Sequence, residues 1–295
     1  MTAVRQVLAA GNIVGESLVW DAARGRLVWV DIIGRSIHAL DTASGAHRVW
    51  RLKARPTSIG LCRDGGAILG MERHICRWDW AGEPVPLIEV EPDRPANRLN
   101  EGVVGPDGAF WVGTMLNNIN KDGSPRDIPE ATGQIWRYGP DGSLRRMSGD
   151  RFGIMNTLVF PAADRLVAAD TLANALYSYR IAPEGLVDRQ VLLENFPRGL
   201  PDGSCLDAKG RVWTARVVGG ACLTCTALDG TVEEVVDLPC TWPTSCAFGG
   251  PDLTTLYVTS ARFTMSAEHL AANPQEGGLF ACEPGARGAA AHLFG

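Results

Sequence analysis

Lysine is almost missing from this chain: it supplies three of the 28 basic residues among 295, at Lys53, Lys121 and Lys209. The basic residues are interspersed with 33 acidic ones, and the net charge of -5 leaves neither a nucleic-acid footprint nor a polybasic membrane anchor. No apolar run approaches the roughly 20 residues of a membrane-spanning helix. The opening stretch MTAVRQVLAAGNIVGE has neither the apolar core nor the cleavage site of a secretory signal. Eight cysteines in a chain of this length make no disulfide framework, so reduced thiols and a cytoplasmic location are expected. Cys222 and Cys225 form a CxxC without a second pair at zinc spacing, and strand alternation in ACLTCTALDG would aim them to opposite faces. Helical periodicity is also scarce. The best candidate is SAEHLAAN, with Ser266 as N-cap and Pro274 as the stop. No GxSxG, P-loop or GxGxxG precedes a strand-to-helix unit.

What is abundant is an ordinary globular apolar fraction, 45%, arranged as a repeat. Six segments carry the same pattern: a polar residue, a turn-compatible residue, a short apolar run, a Gly/Asp turn and a second apolar run. They begin at Glu16, Thr57, Asn100, Asn156, Asp202 and Thr244, spaced 41, 43, 56, 46 and 42 residues apart. Each reads as two strands joined by a tight turn. Further short alternating stretches follow, among them RSIHALD, ICRWDW, ALYSYR and GLFACEPG. Four strands per unit of about 40–45 residues is the pattern of a propeller blade. The expected fold is therefore all-β, a six-bladed β-propeller of four-stranded antiparallel blades, forming one domain over residues 1–295. A β-sandwich gives no reason for six recurrences of one pattern.

The innermost strand of each propeller blade runs along the central channel, so the six leading residues are expected around one mouth of it. Oxygen donors of this kind suit a hard divalent cation, and the two carboxylates would neutralise it. The alternative is that they satisfy strand-end backbone groups or hold channel water. Arg98 stands two residues before Asn100, where strand alternation aims both to the same side. Its planar donor fork suits substrate oxygens, unless it pairs with Glu101 or Glu130. The excess length between Asn100 and Asn156 lies in LNNINKDGSPRDIPEATG, a loop between the second and third strands of a blade and a cover for the site. None of the five histidines falls at the leading position. Most of the nine tryptophans sit at apolar strand positions, where they are expected to pack blade against blade.

The motifs GESLVW (15–20), RPTSIGL (55–61), RLNEGVVGPDGAFWVGTM (98–115), NTLVF (156–160), AADT (168–171), LPDG (200–203) and PTSCAFGGPDLTTLYVTSAR (243–262) resemble the senescence-marker-protein/gluconolactonase/regucalcin family of six-bladed propellers. The resemblance runs through nearly the whole chain in the family's order. It implies one divalent metal held by Glu16, Asn156 and Asp202, with Arg98 and Asn100 on the sugar's oxygens. The chain departs from the family at several points. Ser17-Leu18 stands where Gly-Pro is usual, and Thr157 where Gly follows the Asn. Asn117, Asn118 and Asn120 cluster where an acid often touches substrate, and Arg216-Val217-Val218-Gly219-Gly220 replaces a Trp-Gly-Gly. These departures alter the pocket and leave the metal ligands intact.

The implied activity is metal-dependent hydrolysis of a sugar lactone by a protein that is monomeric by default, the cation (Ca, Zn, Mn, Fe(II) or Mg) polarising the carbonyl. Asp202 is read as the general base, and Asn118 as a further substrate contact favouring a polyhydroxylated substrate. Two rivals remain on the same fold: a non-catalytic calcium-binding regulatory propeller and an organophosphate-type hydrolase. Arg216 is expected to point to solvent or to pair with an acid. If it reaches the mouth instead, it would favour a lactone with an anionic tail such as a carboxylate or sulfonate.

Overall fold

The computed structural model describes residues 2–295. It contains six separate four-stranded antiparallel sheets arranged as the blades of a propeller. The inner strands are Gly15–Asp21, Pro56–Leu61, Asn97–Val104, Met155–Ala162, Leu200–Leu206 and Pro243–Gly249. All six leading residues lie near the start of these strands, at one end of the channel. In blades one to five the four strands are consecutive in sequence. The sixth blade takes its outermost strand from the other end of the chain: Val4–Leu8 pairs with Leu279–Cys282. That pairing completes the sixth blade and clasps the ring shut. The sequence repeat did not signal it.

Apolar packing between neighbouring sheets holds the blades together. Trp29, Trp111 and Trp213 occupy second strands and are fully buried. Trp111 meets Phe160 of the fourth blade edge-on at 5.3 Å, and Trp213 meets Phe248 of the sixth at 6.1 Å. The expected helix is present as Ala267–Ala272, with the Ser266 side chain accepting from His269 N. Cys222 and Cys225 lie in the strand Cys222–Thr226, both buried as free thiols. No helix among the described residues is long and apolar enough to cross a membrane.

The inner-strand ladder breaks at or just after each leading residue. In every blade the pairing between first and second strands slips at this position: between Glu16 and Val19, Pro56 and Ser58, Leu99 and Gly102, Asn156 and Leu158, Pro201 and Ser204, and Pro243 and Ser245. A bulge leaves one or two residues outside the ladder and re-aims them. Ser17 and Thr157, the residues that replace glycine, have φ of 52° and 51°. A β-branched residue in that region costs on the order of 1–2 kcal/mol. Hydrogen bonding offsets the strain at Thr157, whose hydroxyl donates to Asp202 O of the next blade and lies 2.7 Å from Ser204 Oγ. Gly203 is glycine for space, since a Cβ there would stand 2.8 Å from Thr244 O of the sixth blade.

One feature of the first blade sets an acid limit on stability. His38 Nε2 lies 2.9 Å from Ser36 Oγ and Nδ1 3.1 Å from His47 Nε2, with Trp29 stacked on both rings. Burial first, then the charges of His47 and Arg51, push His38 down to about 4. The unfolded residue titrates near 6.5, so the unfolded chain takes up this proton more readily. The contribution is complete above pH 6.5 and is lost as pH falls towards 4, about 3 kcal/mol in all. Denaturant titrations across that window are expected to show the loss, and His38→Phe is expected to flatten it.

Candidate functional site

Bulged inner strands from four blades carry Glu16, Asn100, Asn156 and Asp202 to one end of the axis, and Arg98 and Asn118 join them from the third blade. Arg98 Nη2 and Nε donate to Asn118 Oδ1 at 2.9 and 3.3 Å, and Nη1 donates to Leu99 O at 2.8 Å and Asn100 Oδ1 at 2.7 Å. A guanidinium only donates, so it fixes which way the amides face. Asn100 must turn its Nδ2 outward, to Asn156 Oδ1 at 2.8 Å and Met155 O at 2.9 Å. Asn156 in turn gives its Nδ2 to Thr171 Oγ1 at 2.9 Å, and Thr171 donates to Pro201 O beside Asp202. A run of oriented amides thus links the mouth loop to the fifth blade. Among the described residues Arg98 forms no ion pair, so neither Glu101 nor Glu130 is its partner.

The carboxylates are crowded. Asp202 is 6% exposed and its Oδ1 is buried without a hydrogen-bond partner. Burial, then the charge of Glu101, holds Asp202 well above the usual carboxylate range, against the Gly203 N–H, Arg98 and Asn156. Glu16 is raised likewise by burial, then by Asp202 and Glu101, with Arg98 opposing. Burial lowers Arg98 to about 10. Buried acids crowded around an orphaned buried oxygen form a site short of positive charge. Among the described residues, no three His, Cys, Asp or Glu side chains close on one metal-sized point. The proposed third donor is an amide: Asn156 Oδ1 has a second lone pair beyond the one Asn100 uses. Two carboxylates and an amide oxygen fit a hard divalent cation.

Of the other two leading residues, Thr244 is structural. Its hydroxyl donates to Gly15 O, tying the sixth blade to the first, and lies 3.0 Å from Thr259 Oγ1. Thr57 Oγ1 is buried without a partner.

The 117–134 connection lies between the second and third strands of blade three, as the spacing predicts. Arg55 anchors it, with Nη2 donating to Asn120 O at 2.9 Å and to Lys121 O at 3.2 Å while Nη1 pairs with Glu72 at 2.7 Å. Arg55 precedes Thr57 by the same two residues that separate Arg98 from Asn100, and it differs from Arg98 in pairing with an acid, Glu72.

Arg216 corrects the expectation for it. It is 1% exposed, so it neither faces solvent nor forms an ion pair among the described residues. Its Nε donates to Arg198 O at 3.1 Å, its Nη2 to Asn174 Oδ1 at 2.7 Å and Gly199 O at 2.8 Å, and it lies 4.9 Å over the Phe196 ring. Both nitrogens are spent fastening blade five to the blade-four connection. Arg216→Met is expected to leave three partly buried acceptors unmatched and to cost about 2 kcal/mol in a denaturant melt.

The family model described as the SMP-30/Gluconolactonase/LRE-like region matches residues 14–262, the interval that contains every residue of this constellation. The chain belongs to that family. Within it, a 6-deoxy-6-sulfogluconolactonase of Pseudomonas putida is 34% identical over 294 residues, covering 98% of this chain and 97% of that protein. A regucalcin of Xenopus laevis is 32% identical over 273 residues, covering 90% and 89%. Among solved structures, a calcium-binding regucalcin from Agrobacterium tumefaciens superimposes with a TM-score of 0.89 at 28% identity, covering 100% of this chain and 98% of that one. The six-bladed ring is thus the family fold. Ser17 and Thr157 depart from the family motif in residue type while keeping a positive φ.

Proposed function

We propose that this chain, a lactonase of the SMP-30/gluconolactonase/LRE-like family, hydrolyses a sugar lactone to the aldonic acid with one divalent cation held by Glu16, Asn156 and Asp202. The observation that carries the reading is the buried, partnerless Oδ1 of Asp202. Relatives named for lactone hydrolysis and for calcium binding support it from two sides. A bound divalent ion there supplies Lewis-acid polarisation of the carbonyl. The protein's own groups do the rest. Arg98 orients Asn100 and Asn118, whose amides are placed to meet ring hydroxyls, and the 117–134 connection covers the mouth. Asp202 is the nearest candidate to receive a proton from the attacking water, although ligation weakens a carboxylate as a base.

The regucalcin relatives favour a second reading, a cation-binding propeller without turnover. A pure cation buffer gains nothing from a buried arginine beside its ion, since Arg98 opposes the charge it is meant to hold. The test is a proton-release assay over a panel of aldonolactones, before and after extended chelation. Hydrolysis that stops on chelation and returns with a divalent ion is the expected result. Turnover that persists in a preparation shown metal-free by elemental analysis rejects the cation's role, and no turnover on any sugar lactone rejects the reading.

A further inference from the structure

Below the ligands the channel does not fill in. It continues as a cavity of about 200 Å³, with residues 289–292 in its wall. Its wall is mostly apolar, with the hydroxyls of Ser17, Ser204 and Ser245 near the ligands. Glu101 is the one carboxylate that faces it; the other titratable groups of the wall are Cys205, Cys246 and His292. The third-blade bulge explains how Glu101 arrives there. Asn100 and Glu101 both fall between the paired residues Leu99 and Gly102, so two successive side chains leave the ladder. One oxygen of Glu101 accepts from Gly102 N at 3.0 Å. The channel mouth offers no ion pair to it among the described residues.

We propose that Glu101 is a third carboxylate of the cation site, acting on the bound ion from the channel side through water held in this cavity. The inference rests on the reading of Glu16, Asn156 and Asp202 as ligands. Charge supports it first. Glu16, Glu101 and Asp202 carry three negative charges, Arg98 offsets one, and Arg55 is already neutralised by Glu72. The remainder equals the charge of one divalent cation. Distance supports it second. The three carboxylates do not close on one metal-sized point, yet Glu101 shares the cavity wall with Ser17, next to Glu16, and with Ser204, two residues beyond Asp202. A group that acts on the ion without reaching it acts through water, and the hydroxyls of Ser17, Ser204 and Ser245 beside Glu101 in the cavity wall offer it partners. Glu101 is thus a positioning residue, fixing the waters on the ion's lower side and adding charge that selects a divalent over a monovalent ion.

Calorimetric titration of Mn²⁺ and of Ca²⁺ into wild type, Glu101→Gln and Glu101→Asp tests it, together with thermal melts of each protein with and without the ion. Glu101→Gln is expected to weaken divalent binding by about 10–100-fold, and Glu101→Asp by less. The metal-free melting temperature of Glu101→Gln should hold or rise, because a carboxylate repelled by two others has gone, while the rise on adding the ion shrinks. A merely structural Glu101 would instead lower the metal-free melting temperature. Equal affinity in wild type and Glu101→Gln overturns this inference and leaves the lactonase reading standing; no divalent binding by wild type overturns the ligand assignment beneath both. Should Glu101→Gln fail to fold, unchanged affinity in Glu101→Asp overturns the inference in its place.

Discussion

Asp202→Asn is expected to lower kcat/KM for a sugar lactone by about a thousandfold or more. The substitution keeps the shape of the side chain and removes its charge. In the proposed site that charge is half of the ligand neutralisation, and Asp202 is also the candidate proton acceptor. Metal content measured beside the rate separates the two contributions. A protein that loses its ion and its turnover together has lost a ligand. One that keeps a full complement of ion and still fails to turn over has lost a base. Full metal content with wild-type rate would remove Asp202 from the site.

Arg98→Ala is expected to act in the opposite sense on the ion. It should raise KM by about 10–100-fold, because Asn100 and Asn118 lose the donor that sets their orientation. Cation affinity should stay equal or tighten, since a buried positive charge near Glu16 and Asp202 has been removed. Arg98→Lys should recover little of the KM, as a point charge cannot reach both amides with the geometry of a fork. Loss of the ion in Arg98→Ala with KM unchanged would show that the residue serves the cation rather than the substrate.

The recurrence of a polar residue before each apolar run was legible because a propeller repeats one environment six times, and the phase of the repeat is the phase of the channel. That phase named Glu16, Asn100, Asn156 and Asp202 and fixed the fold. It could not distinguish Thr244, whose hydroxyl is spent on Gly15 O, from residues facing the axis, because both roles need an oxygen at the same place. It also passed over Glu101. One residue per blade is all that a repeat phase selects, whereas a bulge frees two, and the sign of that in the sequence is the pair Asn100-Glu101 where alternation would place an apolar residue. Arg216 was misread for a different reason. Whether a guanidinium meets carbonyls or carboxylates depends on loops from other blades, here residues 174 and 198–199, and no local pattern encodes them.

The clasp between Val4–Leu8 and Leu279–Cys282 has a consequence for how the protein is born. The ribosome delivers the second of these strands about 270 residues after the first. At roughly 5–20 residues per second, the early strand waits on the order of 15–60 s for its partner. Glu16 leaves the tunnel long before the Leu279–Cys282 strand, and the ring that holds it with Asn156 and Asp202 cannot close until that strand emerges. Throughout that interval the nascent chain carries an unpaired edge, a natural place for a chaperone to bind. A ribosome stalled before residue 279 would hold five blades and no closed channel. Cation capture, on this account, follows delivery of the Leu279–Cys282 strand and marks the closed ring.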